Sequence, residues 1–419
     1  MSTRIVVVGG GTAGARLAER LPVTLLGEEP HAPYNRVLLA DVLAGRYGPE
    51  VIALPAPRGG AVRRGARVTG IDRESREVRC ADGTRVGYDR LVLATGSNPV
   101  LPPLRGLANG LTNGLTNGVT GGPAGGPAGG PAGSEGDRLP AGVHAFRTLD
   151  DCLALGARVR PGARAVVVGG GLLGVSAARA LAARGAEVVL AQQGEHLMER
   201  QLDAEASALL RGHLAGLGVE VHTECRVRGL RAPQGAVTAV ELADGFVLDA
   251  DLVVLACGVR PRVGLALEAG LDVRRGIVVD DRLRTSDPYI HAVGDCAEHD
   301  GRLYGLAGAA LEQADVLAEV LAGGDAVYRG TRALTRLSLD ALELAAFGEP
   351  VPRSGDDTVR LADATRGAYR KVVVRGGRLV GGVLYGDLGA VGTLARAWEG
   401  DEALPDAPLL HLLTQDGGS

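Results

Sequence analysis

The stretch RIVVVGGGTAG, residues 4–14, decides the fold of the amino-terminal part of the chain. Its apolar, β-branched half predicts a strand that is buried on both faces, as in a parallel sheet covered by helices. Gly9, Gly11 and Gly14 follow at GxGxxG spacing, and residues 15–21 predict a helix. Gly9 permits the tight turn, Gly11 lets a pyrophosphate approach the backbone, and Gly14 lets the helix pack closely on the strand. The pattern predicts a nucleotide site with its phosphates at the helix N-terminus.

Charged residues after the next predicted strand support this nucleotide site. The apolar run 23–26 ends just before Glu28 and Glu29. An acid at this distance from the glycines can accept hydrogen bonds from a ribose diol. Arg36 follows in an extended, proline-containing segment, and its position favours a charge-assisted hydrogen bond to the pyrophosphate over a surface role.

The opening pattern recurs as RAVVVGGGLLG at residues 164–174, and residues 187–190 predict the strand that follows its helix. A second dinucleotide-binding unit is therefore predicted in the same chain. Its acidic position is Gln192, so the usual basis for selecting an unphosphorylated ribose is missing. Three basic residues are candidates for binding a 2′-phosphate: Arg184, His196 and Arg200. The choice between NADH and NADPH stays open.

Composition excludes several classes of protein. The chain has 419 residues and a formal net charge of −4, so it carries no basic footprint for nucleic acid. Its apolar runs are too short to cross a bilayer, and a soluble cytoplasmic protein with no membrane segment is predicted. The five cysteines form no CxxC or CxxxxC pair, which argues against an active-site dithiol and predicts no metal site.

Further predicted strands end in small or polar turns. Ala94-Thr95-Gly96 follows one such strand, and a similar turn contains Gly258. Asp295, in a Gly-Asp turn, either caps a helix or accepts hydrogen bonds from the ribityl hydroxyls of a flavin. The two glycine fingerprints favour the flavin.

Two further segments, residues 106–136 and the C-terminal region, show neither glycine fingerprint. Residues 106–136 are low-complexity, with GGPA repeats, and cannot offset their chain entropy by burial, so a disordered surface insertion is predicted. Residues 371–385 predict a hairpin with a Gly-Gly turn, and residues 394–398 predict a helix. Together they indicate a small α+β domain.

With these pieces placed, the chain resembles the pyridine nucleotide–disulfide oxidoreductase superfamily. Within it, the resemblance is to the FAD/NAD half of bacterial NADH-dependent nitrite reductase large subunits and assimilatory nitrate reductase electron-transfer subunits. Besides the glycine loops, the matching motifs are EEP at 28–30, PYNR at 33–36, ATGS at 94–97, LMERQLD at 197–203, TSDP at 285–288, GDCA at 294–297 and VLYGD at 383–387. The last motif is typical of the nitrite reductase branch.

The resemblance implies an α/β fold with two Rossmann-like dinucleotide-binding domains and a small C-terminal α+β domain. The FAD domain is split by the inserted NAD domain. The predicted divisions are 1–105 (first segment of the FAD-binding domain), 106–138 (disordered glycine-rich insertion), 139–258 (NAD(P)-binding domain), 259–328 (second segment of the FAD-binding domain) and 329–415 (C-terminal interface domain).

The resemblance also implies a set of cofactor-binding residues. They are Gly9, Gly11, Thr12, Ala13, Gly14, Glu28, Arg36, Val68, Ala94, Thr95, Gly96, Asp295, Leu306, Gly169, Gly171, Leu172, Leu173, Gly174, Gln192 and Gly258. Two positions depart from the family pattern. Ser176 stands where a glutamate is common near the nicotinamide, and Asp41 stands where related reductases often carry a lysine near the flavin.

The implied activity is electron transfer from NADH or NADPH through FAD to a redox protein, either an iron–sulfur protein or a nitrate or nitrite reductase subunit. The flavin supplies the chemistry, and no catalytic side chain is predicted. A homodimer is a possible assembly. One alternative is a ferredoxin or rubredoxin reductase of the same fold. The other is a flavin-binding structural or regulatory protein with a decayed nicotinamide site, which Ser176 and Gln192 make conceivable.

Overall fold

The computed structural model describes residues 3–107, 139–332, 334–339, 342–405 and 408–414. Most of the predicted glycine-rich insertion, residues 108–138, lies outside these described residues. Within the described ranges, no helix is long and apolar enough to cross a membrane.

The first sheet has five parallel strands. Their spatial order is Ile290–Ala292, Arg90–Leu93, Ile5–Val8, Val23–Leu26 and Gly60–Arg63. The central strand, Ile5–Val8, is buried along its whole length, as its β-branched run predicts. Helices Thr12–Arg20 and Ala307–Leu321 share one apolar core with this sheet. Arg16 Nε joins the two helices by a 2.8 Å contact with Asp315 Oδ1.

The second sheet repeats this arrangement. Its parallel strands lie in the order Val219–His222, Glu187–Ala191, Arg164–Val168, Leu252–Leu255 and Val143–Ala145. The helices that accompany it are Leu149–Gly156, Leu172–Ala183 and Ala204–Gly216. The capping-box spacing is confirmed, because Thr148 Oγ1 accepts a hydrogen bond from the Asp151 amide at 3.1 Å while the Asp151 carboxylate accepts one from the Thr148 amide at 2.8 Å.

Short antiparallel sheets complete these two units. One contains Val68–Asp72, Glu77–Cys80 and Arg85–Gly87, and another contains Val227–Arg231, Ala239–Leu242 and Val247–Asp249. A separate parallel pair consists of Ile277–Val279 and Ala297–His299. Short helical segments occur at Arg36–Leu38, Leu39–Leu43, Pro233–Gly235, Gly264–Glu268 and Gly294–Cys296. The antiparallel ribbon of Ser97–Pro99 and Val259–Pro261 lies beyond the strand ends of both parallel sheets and links them.

The C-terminal sheet is antiparallel. Its order is Thr335–Leu339, Leu342–Gly348, Arg378–Tyr385, Ala368–Arg375 and Asp357–Asp363, followed by helices Val391–Glu399 and His411–Thr414. Gly376 and Gly377 form the hairpin turn with φ values of 56° and 73°, which favour glycine. The inner face of this sheet shares a core with the helices of the second sheet, and Tyr385 Oη donates to the Leu209 carbonyl at 3.0 Å. The predicted α/β class with a small C-terminal α+β unit is confirmed.

Candidate functional site

The two glycine loops, residues 9–14 and 169–174, have nearly the same geometry. Gly9 has φ +117°, and a Cβ at this position would lie 2.1 Å from the Ala94 carbonyl oxygen. Gly169 has φ +109°, and its Cβ would lie 2.5 Å from the Ala256 carbonyl oxygen. In each loop, therefore, only glycine permits the strand to turn so close to its neighbour.

The helix that follows each loop presents its N-terminus without a side-chain cap. Gly11 and Gly171 are the N-cap residues, and no described side chain accepts a hydrogen bond from either first turn. The amides of a first helical turn have no partner within the helix, and together with the helix dipole they favour an anion.

Both loops open onto one continuous cavity with a volume of about 1740 Å³. This volume exceeds the ordinary range for drug-sized ligands, roughly 300–1000 Å³. The cavity brings together every predicted cofactor residue of both units except Gly14 and Gly174. Val68 and Leu306, which lie far from the glycine loops in sequence, are among the lining residues.

Gly14 and Gly174 lie beneath the loops instead. A Cβ at Gly14 would approach the Gly9 carbonyl oxygen to 2.0 Å, and one at Gly174 would approach the Gly169 carbonyl oxygen to 1.8 Å. These two glycines therefore allow each helix to pack against its own loop, and they do not contact the cavity.

Positive charge predominates among the lining residues. The arginines are Arg36, Arg64, Arg67, Arg147, Arg200, Arg226, Arg260, Arg262 and Arg336, and the carboxylates are Glu28, Glu29, Asp151, Glu199, Glu268 and Asp295. A cavity with this balance attracts phosphate-bearing ligands.

Asp295 lies at the centre of a partly buried polar contact that no sequence motif indicates. Arg147 Nη2 donates to Asp295 Oδ2 at 2.7 Å, and Ser97 Oγ donates to the same oxygen at 2.8 Å. The Arg147 and Asp295 side chains are each 18% exposed. Arg147 immediately precedes the capping box and belongs to no motif, so only the three-dimensional structure identifies it.

Glu28 and Arg36 line the cavity and are already engaged with other side chains. Glu28 Oε2 pairs with Arg262 Nη2 at 2.7 Å. The Arg36 guanidinium pairs with Glu29 and donates to the Arg147 carbonyl oxygen at 2.9 Å. The role of Arg36 toward a pyrophosphate stays a prediction.

The half of the cavity around the second loop contains Gln192 and Ser176. Gln192 Oε1 accepts a hydrogen bond from the Gly170 amide at 2.8 Å, and Ser176 Oγ donates to the Leu172 carbonyl at 2.8 Å. Of the three predicted 2′-phosphate candidates, Arg200 lines the cavity, whereas Arg184 and His196 do not. Arg226 also lines it, although no sequence motif includes this residue.

Two thiols, Cys225 and Cys257, also line the cavity. Burial raises the pKa of Cys257 to about 11 and also raises the pKa of Cys225, with a further contribution from Asp244. Both thiols are therefore protonated near neutral pH and are poor nucleophiles.

Asp41, which stands where related reductases often carry a lysine, does not line the cavity. Its Oδ1 pairs with Arg179 Nη2 at 2.7 Å, and the Arg179 side chain is 2% exposed. Because Arg179 belongs to helix Leu172–Ala183, this ion pair joins the segment after the first strands to the second parallel-sheet unit.

Comparison with known families assigns most of the chain. The family model described as pyridine nucleotide-disulphide oxidoreductase matches residues 3–314. The model described as rubredoxin NAD+ reductase C-terminal domain matches residues 334–400. The C-terminal tail therefore does not by itself separate the nitrite reductase branch from the rubredoxin reductases.

Curated relatives include both kinds of protein. Nitrite reductase [NAD(P)H] of Bacillus subtilis (strain 168) is 35% identical, over 92% of this chain and 46% of the relative. The assimilatory nitrate reductase electron transfer subunit of the same organism is 32% identical, over 92% of this chain and 48% of the relative. This chain thus spans about half the length of these two proteins. A probable ferredoxin reductase of Castellaniella defragrans is 32% identical, over 90% of this chain and 89% of the relative.

A solved structure with the same fold is the covalent putidaredoxin reductase–putidaredoxin complex. Its matching chain has a TM-score of 0.81 and 25% identity, and the match covers 100% of both chains.

Proposed function

This chain belongs to the pyridine nucleotide-disulphide oxidoreductase family, and on that premise we propose that it passes electrons from NAD(P)H through FAD to a partner redox protein. The family uses FAD and NAD(P)H, and its members are flavin oxidoreductases. The observation that carries the proposal is that two equivalent glycine loops open onto one cavity. Two dinucleotides bound there would meet within a single cavity.

The residues around the first loop fit FAD. A Cβ built at Gly11 would meet no described atom within 4 Å, so a pyrophosphate can approach the backbone there. Glu28 and Asp295 provide acceptor oxygens for the ribose and ribityl hydroxyls. Arg147 Nε is buried and has no hydrogen-bond partner among the described residues, as expected for a site that a ligand completes.

The second loop fits the pyrophosphate of NAD(P)H for the same reason. A Cβ at Gly171 would also meet no described atom within 4 Å. Leu172 and Leu173 begin the helix that faces this region of the cavity. FAD, when bound, supplies acceptance of a hydride from NAD(P)H and release of electrons to the partner. The chain itself binds and orients the two nucleotides.

We assign residues 1–105 and 259–328 to FAD binding and residues 139–258 to NAD(P)H binding. The C-terminal region, 329–415, is assigned to docking, either of the redox partner or of a second copy of the chain. Light scattering coupled to size exclusion distinguishes a dimer from a monomer.

The decisive experiment is an anaerobic titration of the purified protein with NADH and then with NADPH while the flavin absorbance is recorded. Loss of the absorbance with either coenzyme supports an oxidoreductase. A yellow protein that neither coenzyme reduces would contradict the proposal and favour a structural flavoprotein. A colourless protein that takes up no added FAD would contradict the assignment of the first loop.

A matched pair of variants tests the contribution of each glycine loop to nucleotide binding separately. Gly11 and Gly171 have φ values of −76° and −78°, so alanine fits either backbone and only the cavity changes. Gly11→Ala is expected to weaken FAD binding by about tenfold or more while the fold is retained. Gly171→Ala is expected to retain FAD and weaken NAD(P)H binding by a similar factor. Far-ultraviolet circular dichroism checks the fold of both variants.

The electron acceptor has two candidates. Similarity to the nitrite and nitrate reductase proteins favours a metal-containing reductase subunit in nitrate or nitrite assimilation. The nearly complete coverage of a probable ferredoxin reductase, together with the rubredoxin reductase C-terminal match, favours a small iron–sulfur protein. Anaerobic transfer from the reduced protein to a [2Fe–2S] ferredoxin, a rubredoxin or a nitrite reductase catalytic subunit, compared by rate, decides between them.

A further inference from the structure

Gln192, Arg200 and Arg226 line one end of the NAD(P)H half of the cavity, here called the ribose end. This end is rich in hydrogen-bond donors, and Gln192 stands where a carboxylate would accept hydrogen bonds from a ribose. We propose that this end selects NADPH, and that Arg200 and Arg226 bind its 2′-phosphate. The proposal rests on the proposed function, because it requires NAD(P)H to lie on the second glycine loop. It adds the identity of the coenzyme and the two residues that determine it.

Gln192 is the first element of this end. It follows strand Glu187–Ala191, at the position where a carboxylate would accept hydrogen bonds from the 2′- and 3′-hydroxyls. Its Oε1 is already bound to the Gly170 amide at 2.8 Å. The Nε2 amide is a donor only, and a neutral amide lacks the second oxygen and the charge with which a carboxylate holds both hydroxyls. A donor suits a phosphate oxygen, whereas selection of the unphosphorylated diol depends on an acceptor.

Two guanidinium groups lie beside Gln192. The Cys225 amide donates to the Gln192 carbonyl at 2.8 Å, which fixes Arg226 next to that residue. The Met198 amide donates to the Gly170 carbonyl at 2.9 Å, which holds the turn carrying Arg200 against the glycine loop. Both arginines are exposed and line the cavity, and neither has a carboxylate within 4.0 Å among the described residues.

Glu199 is an acid that lines the cavity beside Arg200. Glu199 Oε1 accepts a hydrogen bond from the His196 amide at 3.2 Å, so this carboxylate is directed at the backbone of its own turn. A 2′-phosphate carries close to two negative charges at neutral pH, and an arginine fork can donate two parallel hydrogen bonds to it. The unphosphorylated ribose of NADH offers neither guanidinium a charged partner.

Binding of adenosine nucleotides to the FAD-loaded protein tests the proposal without turnover. Isothermal titration calorimetry with adenosine 2′,5′-bisphosphate and with 5′-AMP compares the wild type with Arg200→Ala, Arg226→Ala and the control Arg228→Ala. Arg228 follows Arg226 by two residues, lies in strand Val227–Arg231, is exposed and does not line the cavity.

The bisphosphate is expected to bind the wild type about tenfold or more tightly than 5′-AMP. Arg200→Ala and Arg226→Ala should each remove most of this difference and leave 5′-AMP affinity unchanged, and Arg228→Ala should behave as the wild type. Equal binding of the two nucleotides, or a preference that survives in both arginine variants, would overturn this inference and leave the proposed function intact. Failure of both nucleotides to bind would overturn the NAD(P)H site itself.

Discussion

Arg147 and Asp295 form an ion pair, with 2.7 Å between Nη2 and Oδ2, that connects the two parallel-sheet units at the wall of the cavity. Arg147 lies between strand Val143–Ala145 of the second sheet and helix Leu149–Gly156. Asp295 lies in the turn after strand Ile290–Ala292 of the first sheet. A carboxylate assigned to the flavin site therefore also holds the segment through which the chain enters the second unit.

Replacing Arg147 by methionine should destabilise the protein. The change leaves the largely buried Asp295 carboxylate without its cation, at an expected cost of about 1–3 kcal/mol in the free energy of unfolding. Urea unfolding of the flavin-free protein measures it. Arg302→Ala is the control, because this exposed side chain has no partner among the described residues, and it should change stability by less than about 0.5 kcal/mol. Equal unfolding midpoints for Arg147→Met and the wild type would refute the structural role of the pair.

Two glycine-to-alanine changes in helices should act in opposite directions. At Gly174 the new Cβ would lie 1.8 Å from the Gly169 carbonyl oxygen, so the helix must move from its loop, and a loss of about 1–3 kcal/mol or more is expected. Gly212 lies in helix Ala204–Gly216, is exposed, and a Cβ there would meet no described atom within 4 Å. Gly212→Ala should therefore stabilise the protein by about 0.5–1 kcal/mol. Thermal unfolding of both variants checks the signs, and a stabilised Gly174→Ala would contradict the packing described for the loop.

Cys257 should react slowly with alkylating reagents at neutral pH. Burial raises its pKa to about 11, so the thiolate fraction at pH 7.5 is smaller than that of free cysteine by about two orders of magnitude. Iodoacetamide labelling followed by peptide mass spectrometry measures the rate at this residue, with free cysteine as the reference. The rate should increase as the pH rises toward 10. Labelling of Cys257 at the rate of free cysteine would show that the thiol is not buried as described.

The elements that could be predicted from the sequence are those whose backbone conformation is set by residues close together in the chain. The strand–glycine–helix repeats at 4–14 and 164–174 specify positive φ at Gly9 and Gly169, and the structure has φ values of 117° and 109° at these positions. In the same way, two consecutive glycines, Gly376 and Gly377, supply the positive φ values that the hairpin turn requires. In each case the backbone requirement and the residue that satisfies it are neighbours in the chain.

The contacts inside the cavity could not be predicted in the same way. Arg147, Arg226 and Arg262 lie outside any recognised motif, and each reaches the site because a distant strand end is brought there by the fold. The pairing of Asp41 with Arg179 joins residues 138 positions apart. Such pairings depend on which sheet edges meet, and the sequence pattern of one element carries no information about that.

Lys371, the only lysine in the sequence, connects the C-terminal sheet to the unit built on the second parallel sheet. Its Nζ contacts Asp203 Oδ2 at 2.7 Å, and Tyr369 Oη donates to the same oxygen at 2.7 Å. Asp203 Oδ1 caps helix Ala204–Gly216 by accepting from the Ala206 amide at 3.0 Å. Burial acts to raise the pKa of Asp203, but the hydrogen bonds from Lys371, Ala206 and Tyr369 outweigh it and hold the pKa below its ordinary value.

Lys371→Met should destabilise the protein strongly at neutral pH and less in acid. Removing one member of a buried ion pair leaves an uncompensated charge, which costs about 3–5 kcal/mol. Because the folded pKa of Asp203 is depressed, its stabilising contribution is present above the unfolded pKa of about 3.9 and is lost as the pH falls through the folded value. Urea unfolding at pH 7, 5 and 3 should therefore show a difference between variant and wild type that narrows at pH 3. The double variant Asp203→Asn/Lys371→Met retains a neutral cap and should recover part of the loss at pH 7. A difference that stays constant from pH 7 to pH 3 would mean that Lys371 acts through packing and not through the charge of Asp203.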